Sequence, residues 1–331
     1  MKKVINDPKN VVDEMITGYV LAYPNYVSRV EGFDVIKRVN KKENKVALIS
    51  GGGSGHEPSH AGFLGTGMLD AAVCGAMFTS PTPDQVLEAI RAVSTPNGVL
   101  LIIKNYSGDV MNFEVAMEMA EEEGIKVDKV IVDDDVAVEN STYTVGRRGI
   151  AGTVLVHKIA GALAEQGATL EEVKTIAEQV IKHTRSMGMA LKPCFMPETK
   201  EPSFTLADDE MEIGLGIHGE PGVYKDKITT ADEITKVLLG KVLDDLDLQA
   251  NDEVVVLVNG LGSTPLMELY IANKTIHHVL TEKGIKIDDT MIGEYMTSME
   301  MAGFSITLLK LDESLKSLYK QMADTPAWKQ F

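Results

Sequence analysis

Short apolar runs alternate along the chain with longer stretches in which apolar residues recur every three or four positions. The short runs are rich in β-branched residues and predict strands, whereas the longer stretches predict amphipathic helices. We predict strands at residues 46–50, 69–75, 99–104, 130–132, 211–217, 253–258 and 305–311. This alternation of strands and helices is typical of α/β proteins, so we expect mixed sheets flanked by helices.

Two of the predicted helices begin at a capping box, in which a threonine and a glutamate three positions later satisfy each other's backbone N–H groups. These pairs are Thr169 with Glu172 and Thr230 with Glu233. Gly188 predicts the end of the helix that begins near Thr169, because glycine tolerates the left-handed backbone that often follows a helix.

The chain has 331 residues, more than a single core of about 150 residues usually accommodates, so we expect two domains. Prolines at positions 193, 197 and 202 exclude a regular helix or a central strand over residues 192–203. We therefore place the domain junction in this stretch. The prediction is an N-terminal α/β domain over residues 1–190 and a C-terminal α/β domain over residues 191–331.

The charge balance narrows the range of partners. Subtracting 49 acidic from 32 basic residues gives a net charge of −17, which disfavours nonspecific binding to nucleic acid or to anionic membranes. Nowhere does an apolar run approach the ~20 residues that span a bilayer. The two cysteines, Cys74 and Cys194, lack the spacing of metal ligands, so we expect a reducing, cytoplasmic location and no metal site.

The densest chemical signal is residues 51–58, which read Gly-Gly-Gly-Ser-Gly-His-Glu-Pro and follow a predicted strand. Ligands of α/β sheets bind beyond the carboxyl ends of strands, and glycines let backbone N–H groups approach a polar ligand. The Lys-Ser/Thr ending of a phosphate loop is missing, and His56 replaces the third glycine of a dinucleotide fingerprint. We therefore predict a cradle for a small ligand. The alternative is a tight turn with Ser54 and Glu57 as a capping box.

His56 and the end of the next predicted strand supply ionisable groups at one edge of the sheet. If His56 stands in the first turn of a helix, the helix dipole favours a neutral imidazole, which can accept a proton as a general base must. Lys104 and Asp109 add a cation and a carboxylate after the strand at residues 99–104. Their alternative roles are an ordinary surface lysine and the N-cap of the following helix.

Residues 214–222 carry His218 in a glycine-rich segment whose spacing formally matches a dinucleotide fingerprint. We reject that match because Pro221 and Gly222 prevent the loop from opening directly into a helix, which the pyrophosphate site requires. A single histidine without a second ligand at metal spacing is also a poor metal site. His218 is then either an exposed residue of a turn or an accessible nucleophile. The similar turn at residues 259–265 has no ionisable side chain, and we interpret it as structural.

Eight segments spread over most of the chain resemble the dihydroxyacetone kinase K family in sequence and in order. They are residues 51–58, 78–83, 103–109, 133–138, 146–149, 202–208, 216–222 and 303–307. Any one glycine-rich loop would be a weak signal, whereas the set together is highly specific. The resemblance implies two α/β domains, a substrate site at strand C-terminal loops near their junction, and a homodimer.

The resemblance also implies a role for each matching position. His218 resembles the histidine that binds dihydroxyacetone covalently as a hemiaminal. His56 and Asp109 resemble the acid–base pair that acts on the hydroxyl receiving phosphate. The positions that resemble substrate-binding residues are Gly53, Ser54, Gly55, His56, Lys104 and Asp109. We therefore expect residues from both halves of the chain to meet in one site.

Single-chain, ATP-dependent members of this family carry a further helical nucleotide domain, and this sequence ends at residue 331 without one. The resemblance therefore implies a separate dihydroxyacetone-binding subunit of a phosphotransferase-system-dependent kinase, with no cofactor of its own. Mg-ADP/ATP is expected on a nucleotide-binding L subunit, and an M subunit is expected to rephosphorylate it with phosphoenolpyruvate as the ultimate donor. The alternative is a dihydroxyacetone-sensing paralogue that coactivates a transcription regulator. A dinucleotide-dependent oxidoreductase would rest on residues 214–219 alone.

Overall fold

The computed structural model describes residues 2–139 and 145–331. Within these ranges the chain forms two six-stranded sheets, a short hairpin and eight α-helices. The helices are α1 (Val11–Ala22), α2 (Pro83–Val93), α3 (Ser107–Glu122), α4 (Thr153–Glu165), α5 (Leu170–Lys182), α6 (Ala231–Leu246), α7 (Leu266–Glu282) and α8 (Glu313–Tyr319). None of the helices in the described part of the chain is long and apolar enough to cross a membrane.

The first sheet lies in the N-terminal half of the chain. Its strands are β1 (Val27–Arg29), β2 (Val35–Arg38), β3 (Ala47–Ser54), β4 (Ala71–Met77), β5 (Val99–Lys104) and β6 (Val127–Val132). Their order across the sheet is β1-β2-β4-β3-β5-β6. The pairs β4-β3, β3-β5 and β5-β6 are parallel, whereas β1-β2 and β2-β4 are antiparallel, so the sheet is mixed. We call this sheet with α1 to α5 the first unit.

The sequence of β5 explains why the first sheet carries helices on both faces. Leu100 and Ile102 belong to the core under α4 and α5. Val99, Leu101 and Ile103 belong to the core under α2 and α3. Successive side chains of a strand point to opposite faces, so a strand that is apolar at every position is buried on both sides.

The second sheet contains the remaining long strands. They are β7 (Thr184–Lys192), β8 (Glu210–Ile213), β9 (Tyr224–Lys227), β10 (Glu253–Gly260), β11 (Lys286–Gly293) and β12 (Ala302–Leu311), in the order β11-β10-β12-β7-β8-β9. Only the β10-β11 pair is parallel among these pairings. We call this sheet, with α6, α7, α8 and the hairpin of β13 (Ala323–Asp324) and β14 (Lys329–Gln330), the second unit. The predicted mixed sheets flanked by helices are confirmed.

The two units share one hydrophobic core. α6 and α7 cover one face of the second sheet. On the other face, Val255 and Leu257 of β10 join the same apolar cluster as the residues of α4 and α5. Tyr319 and Trp328 near the end of the chain belong to this cluster as well. The Lys158 ammonium of α4 also donates to the carbonyl of Leu318 at 3.2 Å. The units are therefore packed together through buried side chains.

The structure moves the predicted domain boundary. A division into residues 1–190 and 191–331 cuts through β7, which pairs with β12 and β8 in the second sheet. The first unit therefore ends with α5, at Lys182. The proline-rich stretch at residues 192–203 lies between β7 and β8, inside the second unit. Prolines exclude regular pairing there, so they mark a loop and not the junction.

The helix end predicted at Gly188 is wrong. α5 ends at Lys182, and Gly188 lies in β7 opposite Ser305 of β12. Met187 and Met189 point from this strand into the core under α6 and α7. That period of two was the signal for a strand, and the glycine between the two methionines concealed it.

Both predicted capping boxes are confirmed. Thr169 Oγ1 accepts from the backbone N of Glu172 at 3.3 Å, and Glu172 Oε2 accepts from the backbone N of Thr169 at 2.8 Å. Thr230 and Glu233 make the same pair of hydrogen bonds at 3.3 and 3.1 Å. Each box satisfies two N–H groups that the first turn of a helix otherwise leaves unpaired.

Candidate active site

The first half of the glycine-rich segment at residues 51–58, which we predicted as a loop, belongs to a strand. β3 continues through Ser54, and Gly53 pairs with Gly75 of β4. A Cβ at Gly53 would lie 2.5 Å from the backbone N of Thr79, closer than real Cβ atoms come. Glycine at this position therefore lets the chain that follows β4 pack directly against β3.

The turn after β3 holds His56 inside the protein. Glu57 Oε1 accepts from the backbone N of Gly55 at 3.0 Å, and residues 55–60 form bends and turns, so the capping-box alternative is wrong. His56 Nδ1 lies 2.7 Å from the carbonyl oxygen of Thr297. Because a carbonyl oxygen only accepts, Nδ1 carries the ring proton and Nε2 keeps its lone pair. This Nε2 is buried without a hydrogen-bond partner in the described ranges.

Burial keeps His56 neutral. The ring is stacked on Phe78 at a centroid distance of 5.0 Å. Desolvation, together with the neighbouring His218 and Lys104, lowers the pKa of His56 well below its ordinary value. No helix begins at this residue, so the helix-dipole explanation is wrong. At neutral pH His56 is an uncharged imidazole with one free acceptor nitrogen.

The end of β5 directs Lys104 into the interior, next to β3. Its Nζ lies 3.1 Å from the carbonyl oxygen of Gly51, 3.3 Å from Asp109 Oδ2 and 3.4 Å from His60 Nε2. These three acceptors match the three N–H groups of an ammonium. The side chain is 1% exposed, so the alternative of a surface lysine is wrong. Lys104 is a buried counter-ion for Asp109.

Asp109 is the third residue of α3 and lies in its first turn. The N-cap of this helix is Tyr106, so the N-cap alternative for Asp109 is wrong. Asp109 Oδ1 accepts a hydrogen bond from the Ser80 hydroxyl, and Oδ2 faces Lys104. The carboxylate is thus held at a helix N-terminus, where the helix dipole favours negative charge.

His218 lies in the loop after β8, in a turn closed by a 3.0 Å hydrogen bond from Gly219 N to Gly216 O. Its Nδ1 is 2.8 Å from Glu220 Oε1, and its backbone N donates to Glu220 Oε2 at 2.9 Å. Burial alone would raise the pKa of Glu220, but the interactions with His218, including its hydrogen bond, and with the Arg148 guanidinium lower it to about 2. Glu220 is therefore a carboxylate at neutral pH. It accepts from Nδ1–H, so in the neutral form of His218 the lone pair is on Nε2.

Three aromatic rings enclose the His218 ring. Tyr106, His56 and Phe78 meet it edge to face, with centroid distances of 4.6, 4.8 and 5.2 Å. Their planes are inclined by 84°, 75° and 80° to the imidazole. The rings restrict rotation of His218, and the Glu220 hydrogen bond selects the orientation that remains.

His218 and Asp109 open on the same cavity, which has a volume of about 670 Å³. Both units contribute to its walls: Gly53, Phe78, Thr79, Ser80, Tyr106, Gly108, Asp109 and Asn112 from the first, and Met196, Thr199, Glu201, Pro202, Ser203 and His218 from the second. In the described ranges, no group of three or more histidine, cysteine, aspartate or glutamate side chains could hold a metal ion. The cavity brings the imidazole of His218 together with two acidic side chains, Asp109 and Glu201.

Four of the residues predicted to bind substrate do not line this cavity: Ser54, Gly55, His56 and Lys104. The Ser54 hydroxyl donates to the carbonyl of Gly75 at 2.7 Å. A Cβ at Gly55 would lie 2.7 Å from the Phe78 ring. These residues pack next to the residues that line the cavity. That they touch a substrate directly stays a prediction.

Two residues that shape the site were not singled out in the sequence. Glu220 stands two positions after His218 in the same glycine-rich turn, and an acidic residue at that spacing was an available signal. Thr297 contributes its backbone carbonyl. Every residue type carries such a carbonyl, so the identity of the side chain could not indicate this contact. Asn259 orients this segment, because its Oδ1 accepts from Tyr295 N and Met296 N at 2.9 Å each. The turn at residues 259–265 thus has the structural role that we expected.

Residues 17–327 match the family model described as the Dak1 domain. The chain belongs to the Dak1 domain family. The match to the Dak1 model spans both units and every residue of the site described above. The family resemblance inferred from the eight sequence segments is therefore confirmed.

Two bacterial proteins of similar sequence extend this result. The chain is 54% identical over 329 residues to the "PTS-dependent dihydroxyacetone kinase 1, dihydroxyacetone-binding subunit DhaK" of Listeria innocua, covering 99% of this chain and 100% of that protein. It is 42% identical over 351 residues to the "PEP-dependent dihydroxyacetone kinase, dihydroxyacetone-binding subunit DhaK" of Escherichia coli K12, covering 99% of each.

A solved structure described as "Dihydroxyacetone kinase operon co-activator Dha-DhaQ" has the same fold. Its TM-score is 0.91 at 37% sequence identity, and the superposition covers 96% of this chain and 98% of that one. The Dak1 fold therefore occurs both in proteins named as kinase subunits and in one named as a co-activator.

Proposed function

We propose that this chain is the dihydroxyacetone-binding subunit of a kinase that draws its phosphoryl group from the phosphotransferase system. One observation carries the proposal: His218, with a free Nε2, and Asp109, a carboxylate, open on one cavity. The names of the Listeria innocua and Escherichia coli relatives support the same substrate and the same phosphoryl source.

In the proposed capture step, His218 adds to the carbonyl carbon of dihydroxyacetone. The Nε2 lone pair forms the new N–C bond, the C=O π electrons move to the oxygen, and that oxygen takes a proton from solvent. The ring becomes positively charged, and the Glu220 carboxylate at Nδ1 stabilises that charge. Glycerol has no carbonyl group, so the covalent step selects the ketone.

In the proposed transfer step, Asp109 takes the proton of the terminal hydroxyl while that oxygen attacks the γ-phosphorus of the donor. The P–O bond to the leaving group breaks, and the leaving group keeps the bonding electrons. His56 assists as a neutral proton acceptor, because its Nε2 is unpartnered within the described residues. Phosphoryl transfer depends mainly on positioning and charge stabilisation, and a buried, hydrogen-bonded carboxylate supplies both.

The phosphoryl donor is proposed to reach the cavity on a partner. A cavity of about 670 Å³ is far larger than a three-carbon ketone requires, which leaves room for the donor group beside it. We assign Mg-ADP/ATP to a nucleotide-binding L subunit and its rephosphorylation from phosphoenolpyruvate to an M subunit. The chain itself is proposed to act as a homodimer.

A second candidate is a dihydroxyacetone sensor that coactivates a transcription regulator, and the fold of the co-activator structure supports it. Such a sensor needs the covalent histidine but no proton acceptor beside the hydroxyl. This chain buries Asp109 against Lys104, and burying such charges costs desolvation free energy. That arrangement is of use to a phosphoryl-transfer site, so it favours the kinase subunit.

Intact-mass spectrometry of the chain incubated with dihydroxyacetone tests the capture step. We expect an adduct in the wild type and in Asp109→Asn, and none in His218→Ala. His278→Ala is the matched control, because this histidine is 68% exposed on α7, and it should retain the adduct. Persistence of the adduct in His218→Ala contradicts the capture step.

Reconstitution with purified L and M subunits, phosphoenolpyruvate and dihydroxyacetone tests the transfer step. Removing a general base typically lowers turnover by about 10²–10⁴-fold, so Asp109→Asn should be nearly inactive while keeping its adduct. Normal turnover in both Asp109→Asn and His56→Ala contradicts their acid–base role. A wild-type adduct that yields no phosphorylated triose favours the sensor.

A further inference from the structure

Two segments of the family pattern, residues 133–138 and 146–149, meet in a buried ion pair to which the proposed function gives no role. Arg148 Nε and Nη2 lie 2.8 and 2.7 Å from Asp135 Oδ2. The two side chains are 0% and 1% exposed. Nη2 also donates to the carbonyl of Gly214 at 2.7 Å, at the start of the loop after β8. Desolvation offsets much of the attraction in such a pair, so stability alone is a weak reason for it.

The third guanidinium nitrogen faces Glu220. Arg148 Nη1 is buried and has no hydrogen-bond partner in the part of the chain that the structure describes. A Cβ at Gly216 would lie 2.7 Å from Arg148 Nη1 and 2.1 Å from Glu220 Oε2. The two atoms are therefore separated by no more than the sum of these distances, so the guanidinium charge attracts the Glu220 carboxylate although the described residues show no direct hydrogen bond between the two groups. Glu220 thus lies between a guanidinium and the imidazole of His218.

The charge of Glu220 decides which nitrogen of His218 is nucleophilic. A Glu220 carboxylate accepts from Nδ1–H and leaves the lone pair on Nε2. A protonated Glu220 would instead donate to Nδ1, and the ring proton would then reside on Nε2. That tautomer has no lone pair with which Nε2 could attack a carbonyl. A carboxyl group that is only 2% exposed tends towards the acid form unless a cation compensates for its burial.

We propose that Arg148, oriented by Asp135, is a positioning residue that keeps Glu220 in the carboxylate form and thereby selects the His218 tautomer with a free Nε2. Asp135 is itself fixed, because its Oδ1 accepts from the backbone N of Ala137 at 2.9 Å. The consequence for substrate capture rests on the proposed function. The tautomer is a property of the ligand-free chain and is measured without any substrate.

The test measures by NMR which ring nitrogen of His218 carries the proton, in ligand-free protein labelled with ¹⁵N-histidine. The His218→Ala variant assigns the signals. In the wild type we expect a protonated Nδ1 and an unprotonated Nε2. Arg148→Met removes the charge and should shift the population towards the tautomer protonated on Nε2, whereas Arg148→Lys should restore part of the wild-type pattern. Arg147→Met is the matched control: Arg147 pairs with Asp245 and not with Glu220, so the tautomer should stay unchanged.

Affinity for dihydroxyacetone gives a second readout. If about a tenth of the Arg148→Met chains hold the competent tautomer, the dissociation constant rises roughly tenfold, because apparent affinity scales with the competent fraction. Turnover at saturating ketone should change much less, because the adduct is the same once it has formed. A purely structural role for Arg148 predicts no such separation between affinity and turnover.

A folded Arg148→Met protein with the wild-type tautomer overturns the proposal, and so does a wild-type His218 protonated on Nε2. If circular dichroism shows that Arg148→Met does not fold, the His218 tautomer is measured in Asp135→Asn instead. That variant keeps the guanidinium but removes the anion that orients it, and an unchanged tautomer there also overturns the proposal. A wild type with the expected tautomer but no dihydroxyacetone adduct refutes the proposed function and leaves this inference standing.

Discussion

Replacing Gly52 with alanine would press a methyl group against the ion pair that holds Asp109. Gly52 lies in β3 with a φ of +148°, which residues with a side chain rarely adopt. Its Cβ would lie 2.4 Å from Lys104 Nζ and 3.2 Å from Asp109 Oδ2. The ammonium cannot move aside freely, because Gly51 O, His60 Nε2 and Asp109 Oδ2 surround it. The added methyl group therefore separates Lys104 from Asp109.

Two costs set the size of the effect. The strained backbone of an alanine at Gly52 costs about 1–3 kcal/mol. Breaking a buried ion pair costs about 3–5 kcal/mol, because Asp109 stays buried without its cation. The combined loss of roughly 4–8 kcal/mol is a large part of a typical folding free energy of about 5–15 kcal/mol. At about 2 °C per kcal/mol, the thermal midpoint should fall by at least about 8 °C.

Scanning calorimetry and the reconstituted kinase assay measure the two consequences of Gly52→Ala. Gly18→Ala in α1 is the matched control: among the residues that the structure describes, no neighbouring atom lies within 4 Å of the new Cβ, and we expect a gain of about 1 kcal/mol. Turnover of the Gly52→Ala protein that does fold should fall about 100-fold or more, because the displaced Asp109 no longer meets the hydroxyl. Wild-type values for both the midpoint and turnover would refute the idea that Lys104 and Asp109 are immobile.

Three further predictions concern the loop after β8, a helix cap and an acid-sensitive ion pair. Gly216→Ala should abolish the dihydroxyacetone adduct in mass spectra, because its Cβ would lie 2.1 Å from Glu220 Oε2; a full adduct would contradict this. Thr169→Ala should lower the free energy of unfolding in urea by about 1 kcal/mol and leave turnover unchanged, and equal stability would argue against the capping box. Hydrogen bonds from Arg147 help lower the pKa of Asp245 to about 2, so the stabilisation by this carboxylate is present at neutral pH and lost as the pH falls from about 4 towards 2. The urea midpoints of the wild type and Asp245→Asn should therefore differ at pH 7 and converge near pH 2; a constant difference would show that Asp245 is not the titrating group.

The sequence predicted most accurately the strands that are buried on both faces of the sheet. β5 was predicted with its observed bounds, because a strand buried on both faces is apolar at successive positions, here residues 99–103. β9 was missed because it is exposed along its whole length, and its residues Tyr224 to Lys227 are mostly charged. A pattern of apolar positions cannot mark a strand at the exposed edge of a sheet.

The sequence predicted that residues from both halves of the chain meet in one candidate site, and it did not predict the contacts that support them. The cavity lined by His218 and Asp109 agrees with the expectation that both halves of the chain contribute. Lys104 could equally have been a surface residue, because its burial depends on neighbours that are distant in the sequence. The partner of His56 is a backbone carbonyl at residue 297, which any residue type could provide. Contacts of this kind become visible only when the chain is folded.

The hydrophobic core common to both units has a consequence for biosynthesis. Tyr319 and Trp328 pack in the same cluster as the helices of the first unit, so that unit cannot complete its interior until the ribosome has made these residues. His56 likewise cannot form its hydrogen bond to the carbonyl of Thr297 before that residue has been synthesised. The proposed acid–base residues His56 and Asp109 therefore reach their final surroundings late in translation, and a nascent chain that stalls earlier would expose apolar surface before the candidate site has formed.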